Sequence, residues 1–233
     1  MTIHSSAIIS DGVELGADVV VGPHAVLLGP CQIGDGVRIG PGCVIGSAPE
    51  ITGATQNIAL NGDLAHHGVV IGPGSVIREL STVQQGSLAP TQIGAGCWLL
   101  SRAYVAHDCV IDDEVTLSAG VAVGGYARIG YGVTLGMNTT VHQRRIIGPV
   151  AMVGMSAAVT RDVPPFAKAF GVPARVRGAN VIGMTRRGIA GTDAAELDAK
   201  YRVGQEPDHR HVTVPELAAA WRWWTSHHAA PVR

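Results

Sequence analysis

The sequence predicts a mainly β solenoid over residues 1–165 with a small, mostly helical appendage at 166–233. Three observations carry this reading. Branched aliphatic residues recur every six positions, glycine recurs at fixed spacing rather than in runs, and the last part of the chain changes to helical patterns. Hydrophobic residues make up 46% of the 233 residues but aromatic ones only 4%, so the core must consist of many thin layers of Val, Ile, Leu and Ala.

The rhythm starts at Ile9 and continues through Leu15, Val21, Leu27, Ile33, Ile39 and Ile45, with glycine following at 16, 22, 34, 40 and 46. A helix face repeats near 3.6 residues and a half-buried strand alternates every second residue. A strict period of six fits neither and marks a solenoid of stacked repeats. Residues 48–68, ending in Ala65-His66-His67, break the rhythm and are expected to form a loop, and long loops ejected from rigid scaffolds often carry function. The rhythm resumes at Ile71, Ile77 and Val83, pauses over Gly86 to Pro90, then holds from Ile93 to Val159. It stops at Asp162-Val163-Pro164-Pro165, because proline cannot donate to a strand ladder. Beyond that, Asp193 with Glu196 and Thr213 with Glu216 have the spacing of capping boxes, and Leu217, Trp221 and Trp224 fall on one helical face.

Net charge is only −1, but it is unevenly distributed. Residues 144–187 hold eight basic residues against the single acid Asp162, a stretch suited to an anionic partner. Cys31, Cys43, Cys97 and Cys109 each take the fifth place of a hexapeptide, where Val, Ala and Ser also occur, so they read as small packing residues rather than a zinc site or disulfides. No long apolar run or signal-peptide pattern is present, and a cytoplasmic address without a membrane span is expected. No cofactor, metal ion or nucleic-acid partner is expected.

Within the repeat, Val105-Ala106-His107-Asp108-Cys109-Val110 places an imidazole beside a carboxylate, and His107 is the residue expected to do chemistry. The aliphatic-Gly hexads resemble the left-handed parallel β-helix of the hexapeptide-repeat acyltransferases. The blocks Ala106-His107-Asp108-Cys109, Gly136-Met137 with Val141-His142-Gln143, Asp162-Val163-Pro164-Pro165, and Asn180 with Arg186-Arg187-Gly188 resemble, in order and spacing, the UDP-N-acetylglucosamine acyltransferases of lipid A synthesis. That resemblance implies a homotrimer with active sites between subunits, acyl carrier protein as acyl donor and a nucleotide sugar as acceptor.

Carried onto this chain, the resemblance makes His107 the general base and Asp108 the acid that orients it. A sugar hydroxyl is a poor nucleophile until its proton is accepted during attack on the thioester. Gly125, one eighteen-residue coil above His107, matches the position whose backbone N–H serves the developing oxyanion. His142 and Gln143 match substrate contacts, and Asn180, Arg186 and Arg187 match residues near the nucleotide phosphates, where a guanidinium fork suits the anion. Met155 stands where other members carry Gly, and would close the acyl groove early. A shorter acyl chain follows.

This chain also departs from the family. Tyr104 and Tyr126 stand where the lipid A enzymes have histidines, and Gln84-Gln85 replaces a basic pair. These positions handle the sugar, so the acceptor stays open: another sugar or metabolite, O- or N-acylation, and acyl-coenzyme A as donor all remain. A zinc carbonic anhydrase on the same solenoid needs three converging histidines, and positions 112 and 147 are Asp and Ile. A non-catalytic sugar-binding module fits the tyrosines but not the retained His107-Asp108.

Overall fold

The protein is described from a computed structural model covering residues 1–52, 67–205 and 213–229. The hexads fold as short strands, mostly of two residues, joined by tight corners. Three hexads make one triangular coil, and the coils stack into three sheets of ten, eight and seven strands. The first runs from Thr2–Ile3 to Arg175–Ala179, the second from Ile8–Ile9 to Ala158–Val159, and the third from Val13–Leu15 to Ile146–Ile147.

The aliphatic residue of each hexad points inward. In the second sheet, Leu27, Ile45, Val83, Val105 and Val123 are all 0% exposed and stack from coil to coil. Burying one such side chain is worth about 1.5–3 kcal/mol, so the ladder supplies the driving force that the missing aromatics would supply elsewhere. The cysteines are buried and free. Burial pushes the thiols of Cys31 and Cys109 up to about 12, so they are inert packing residues as the hexad pattern predicts.

Corners need one residue in the left-handed region, which glycine adopts without strain. This chain also uses non-glycine residues there, among them Asp108 (φ 59°), Tyr126 (φ 61°) and Arg144 (φ 60°). These three occupy equivalent places in successive coils. Their amides tie the corners together, Tyr126 N–H donating to His107 O (3.1 Å) and Arg144 N–H to Gly125 O (2.9 Å).

Regular coils pair residues 18 apart, as in Tyr104↔Ala122 and Ala122↔Thr140. The step is 38 at Val44↔Thr82 and 22 at Thr82↔Tyr104, so two insertions are extruded at one corner, with a single register shift between Val83 and Gln84 where the pairing passes from Ile45 to Ser47. The first is the break at 48–68, of which residues 53–66 lie outside the described residues. The second is the pause at Gly86 to Pro90.

The first sheet runs on past Pro165, where the hexapeptide rhythm stops. Strand Ala167–Phe170 pairs in parallel with Met152–Val153, and Arg175–Ala179 then pairs antiparallel to it. The C-terminal segment is therefore a hairpin followed by α1 (Val181–Arg186), α2 (Gly191–Arg202) and α3 (Pro215–Ala229). Leu217 and Trp221 on α3 are buried and Trp224 packs against the core, the predicted face. The capping boxes are not formed as predicted. Helix α2 starts at Gly191, leaving Asp193 inside its first turn and Glu196 bonded to Lys200 (2.6 Å), while Pro215 opens α3 as its first residue. No described helix is long and apolar enough to cross a membrane.

Candidate active site

His107 sits at the corner between the second and third sheets, held between strands Tyr104–Val105 and Val110–Ile111. Asp108 takes the left-handed place of that corner, which returns its carboxylate to its neighbour, and Oδ2 lies 2.7 Å from His107 Nδ1. A carboxylate only accepts, so Nδ1 carries the hydrogen and Nε2 keeps its lone pair. Both side chains are largely shielded, at 11% and 4% exposure.

The four-residue insertion wraps around this carboxylate. The amides of Ser87, Leu88 and Ala89 donate to Asp108 Oδ1 at 3.0, 2.7 and 3.0 Å, and the Ser87 hydroxyl donates to Oδ2 at 2.6 Å. The Asp108 amide donates to Thr91 Oγ1 at 2.8 Å, which fixes its backbone as well. Burial works to raise the Asp108 pKa, but the Ser87 hydroxyl and the three amides together outweigh it and hold the carboxyl below its ordinary value. Asp108 is thus a fixed negative charge. Hexad periodicity could not find Ser87, Leu88 or Ala89. The only sequence signal was the break in rhythm one coil below the His107 hexad.

Gly125 lies one coil above. A Cβ added there would stand 2.7 Å from Cε1 and 2.8 Å from Nε2 of His107, so the imidazole fills the space a side chain would take. Among the described residues the Gly125 N–H has no hydrogen-bond acceptor. The next residue, Tyr126, meets His107 edge to face with ring centroids 4.9 Å apart, and its hydroxyl lies 3.2 Å from Ser87 Oγ. Arg144, one coil higher, covers the Tyr126 ring at 4.3 Å. His142 and Gln143 continue the column upward and are exposed, with His142 Nδ1 3.0 Å from Gln143 O.

In the same coil as His107, Tyr104 donates from its hydroxyl to Glu50 Oε2 (2.8 Å), and the Glu50 amide donates to Gln84 Oε1 (3.2 Å). Partial burial, then the hydrogen bond to Glu50 and its charge, push the Tyr104 phenol well above its ordinary value. Gln85 is 1% exposed, and among the described residues neither its Nε2 nor its Oε1 has a partner.

The other predicted residues lie at other corners. Met155 is at the corner between the first and second sheets and is 65% exposed, not an interior gap-filler. Asn180 caps α1: its Oδ1 accepts from Gly183 N–H (3.1 Å) and its Nδ2 donates to Val150 O (2.8 Å). Together with Arg186, Arg187, Glu114, Thr134 and Met152 it lines a groove of about 590 Å³ beside the corner between the third and first sheets. There Arg187 pairs with Glu114 at 2.6 Å and lies 5.4 Å from the Tyr131 ring centre. One chain therefore gathers His107, Asp108, Gly125, Tyr104, Tyr126, His142 and Gln143 at or beside one corner column, and holds Met155 and the arginines at the other two corners.

Residues 12–47 and 90–125 match the family described as bacterial transferase hexapeptide (six repeats), and residues 162–216 match UDP N-acetylglucosamine O-acyltransferase, domain 2. Over 222 residues the chain is 34% identical to the acyl-[acyl-carrier-protein]--UDP-N-acetylglucosamine O-acyltransferase of Verminephrobacter eiseniae, covering 86% of this chain and 82% of that protein. The chain belongs to the UDP-N-acetylglucosamine O-acyltransferase family. Its similarity to the family member of Gloeothece citriformis is 39% over 184 residues, 76% of this chain, and spans 62% of that relative's length. The solved UDP-N-acetylglucosamine acyltransferase of Campylobacter jejuni superposes with a TM-score of 0.77 at 23% identity, covering 95% of each chain, and so shares the fold. Within this family fold, the His107–Asp108 corner and the C-terminal region match two separate family descriptions, and this chain carries both.

Proposed function

We propose that the protein transfers a fatty acyl chain from acyl carrier protein to a hydroxyl of UDP-N-acetylglucosamine or a related nucleotide sugar, with His107 as general base. The observation that carries this reading is the His107 imidazole, tied through Nδ1 to a fixed carboxylate and with Nε2 packed against the side-chain-free face of Gly125.

Nε2 accepts the acceptor's hydroxyl proton as the oxygen attacks the thioester carbonyl. The Gly125 N–H donates to the oxyanion of the tetrahedral intermediate, and Asp108 balances the imidazolium. Collapse breaks the carbon–sulfur bond, and the imidazolium returns its proton to the departing thiolate. His142 and Gln143, exposed above Gly125, contact the acceptor. Asn180, Arg186 and Arg187 take the nucleotide end. Three corners of one prism cannot meet around one substrate, which supports a homotrimer that brings corners of neighbouring chains together. The basic 144–187 stretch suits acyl carrier protein, the donor for which this chain's relatives are named, and equally the phosphates of acyl-coenzyme A; either donor would place the reaction in the cytoplasm.

A second acceptor is favoured by one observation. Tyr104, Glu50 and Gln84 form a bonded set where sugar-handling residues differ from the family, which suits a sugar other than N-acetylglucosamine.

The test incubates the protein with UDP-N-acetylglucosamine and acyl-carrier-protein thioesters of graded length, with His107→Ala as control, and reads the acylated nucleotide by mass spectrometry. An adduct lost in the control supports the reading. No adduct from folded protein rejects this acceptor, and acyl transfer to other nucleotide sugars then tests the second.

A further inference from the structure

Asp108 accepts more hydrogen bonds than orienting an imidazole requires, and one of them leads away from the carboxylate. The Ser87 hydroxyl is 2.6 Å from Asp108 Oδ2 and 3.2 Å from Tyr126 Oη. The carboxylate has no hydrogen to give, so Ser87 O–H donates to it, and Ser87 Oγ is left to accept from Tyr126 O–H. Every direction in the chain is then set: Tyr126 donates to Ser87, Ser87 to Asp108, and His107 Nδ1–H to Asp108. The chain closes on itself in space, because the Tyr126 ring stands edge to face with the imidazole at 4.9 Å.

We propose that Ser87 is a positioning residue that ties Tyr126 to Asp108, so that one hydroxyl holds both the carboxylate partner and the aromatic wall of His107. The proposal rests on His107 being the base. It explains why the four-residue insertion sits at this corner: the 22-residue step between Thr82 and Tyr104 delivers Ser87 to the level of Asp108. It also gives Tyr126 a defined role toward a substrate. With its hydrogen committed to Ser87, its oxygen offers only lone pairs, and it accepts from an acceptor hydroxyl rather than donating to one.

The test uses the full chain and needs no substrate. In proton NMR the imidazole N–H held by Asp108 is assigned by its loss in His107→Ala, and its exchange with water is followed. Ser87→Ala and Tyr126→Phe are each expected to speed that exchange at least about tenfold, since each removes a link in a charge-anchored chain. The double variant should be no faster than the more damaging single one, because both cut the same chain. Ser87→Thr, which keeps the hydroxyl, should hold the wild-type rate. Wild-type exchange in both single variants, or single effects that multiply in the double variant, overturns the proposal. Should Ser87→Ala fail to fold, Tyr126→Phe decides, since it deletes a single oxygen. Full acyl transfer by His107→Ala would instead remove the base assignment and leave the exchange result standing.

Discussion

The place of a side chain on Gly125 is taken by the imidazole of His107, whose Cε1 would lie 2.7 Å from a Cβ there. Gly125→Ala must therefore push the ring outward, away from the residue whose N–H is proposed to serve the oxyanion. A displacement near 1 Å costs about 10²-fold in rate. Steady-state kinetics should show kcat reduced by about that factor, with the thermal midpoint and circular dichroism close to wild type. A variant with unchanged kcat would mean that the ring does not work from its place against Gly125.

The Asp108 cradle makes stability depend on pH with a defined sign. The Ser87 hydroxyl and the amides of residues 87–89 outweigh burial and hold the folded pKa below the unfolded value. The cradle's contribution is thus fully present above the unfolded carboxylate value of about 3.9 and is lost as pH falls through the lower, folded one. Asp108→Asn, which presents an amide N–H₂ to these donors, should lower stability at pH 7 by about 2–3 kcal/mol. Unfolding midpoints of the two proteins should differ by a constant amount from pH 7 to about 5 and converge in stronger acid. A gap that widens on acidification would contradict the cradle.

The solenoid was legible because hexad periodicity is local: Leu27, Ile45 and Val105 announce their inward direction within six residues, whatever coil they join. The His107–Asp108 pair was legible for the same reason, being adjacent in sequence. Ser87 was not, since its partner lies 21 residues on and only the extruded insertion brings them together. The spacing Asp193-Glu196 misled because the same polar residues serve a first turn or an i,i+4 ion pair equally well, and Ala190 rather than Asp193 precedes the helix. The family blocks pointed to Asn180, but its bonds to Gly183 N–H and Val150 O were not legible, since Val150 lies 30 residues back and is brought alongside only by the hairpin that precedes α1.

Gln85 offers a stability test that is independent of any substrate. Its amide is buried at 1% exposure with both polar atoms unpartnered among the described residues, and each such atom costs about 1–3 kcal/mol. Gln85→Met keeps the length and removes both. The thermal midpoint should rise, corresponding to about 1–2 kcal/mol after packing losses. A midpoint at or below wild type would show that the amide is satisfied in solution.

Met155 decides the acyl chain only if it faces a groove, and its exposure makes that possible. It projects from the corner between the first and second sheets at 65% exposure, with Met137 one coil below at 48%. An unbranched thioether fills an apolar groove without a fixed shape, so it can stop a chain by bulk alone. Each buried methylene is worth about 0.8 kcal/mol, so removing the stop should extend the preferred acyl group by as many methylenes as the freed space admits. Met155→Gly assayed against graded acyl-carrier-protein thioesters should move the optimum of kcat/KM to longer chains, with each newly accommodated methylene raising it by up to about fourfold. An optimum at the wild-type length would take Met155 out of the groove.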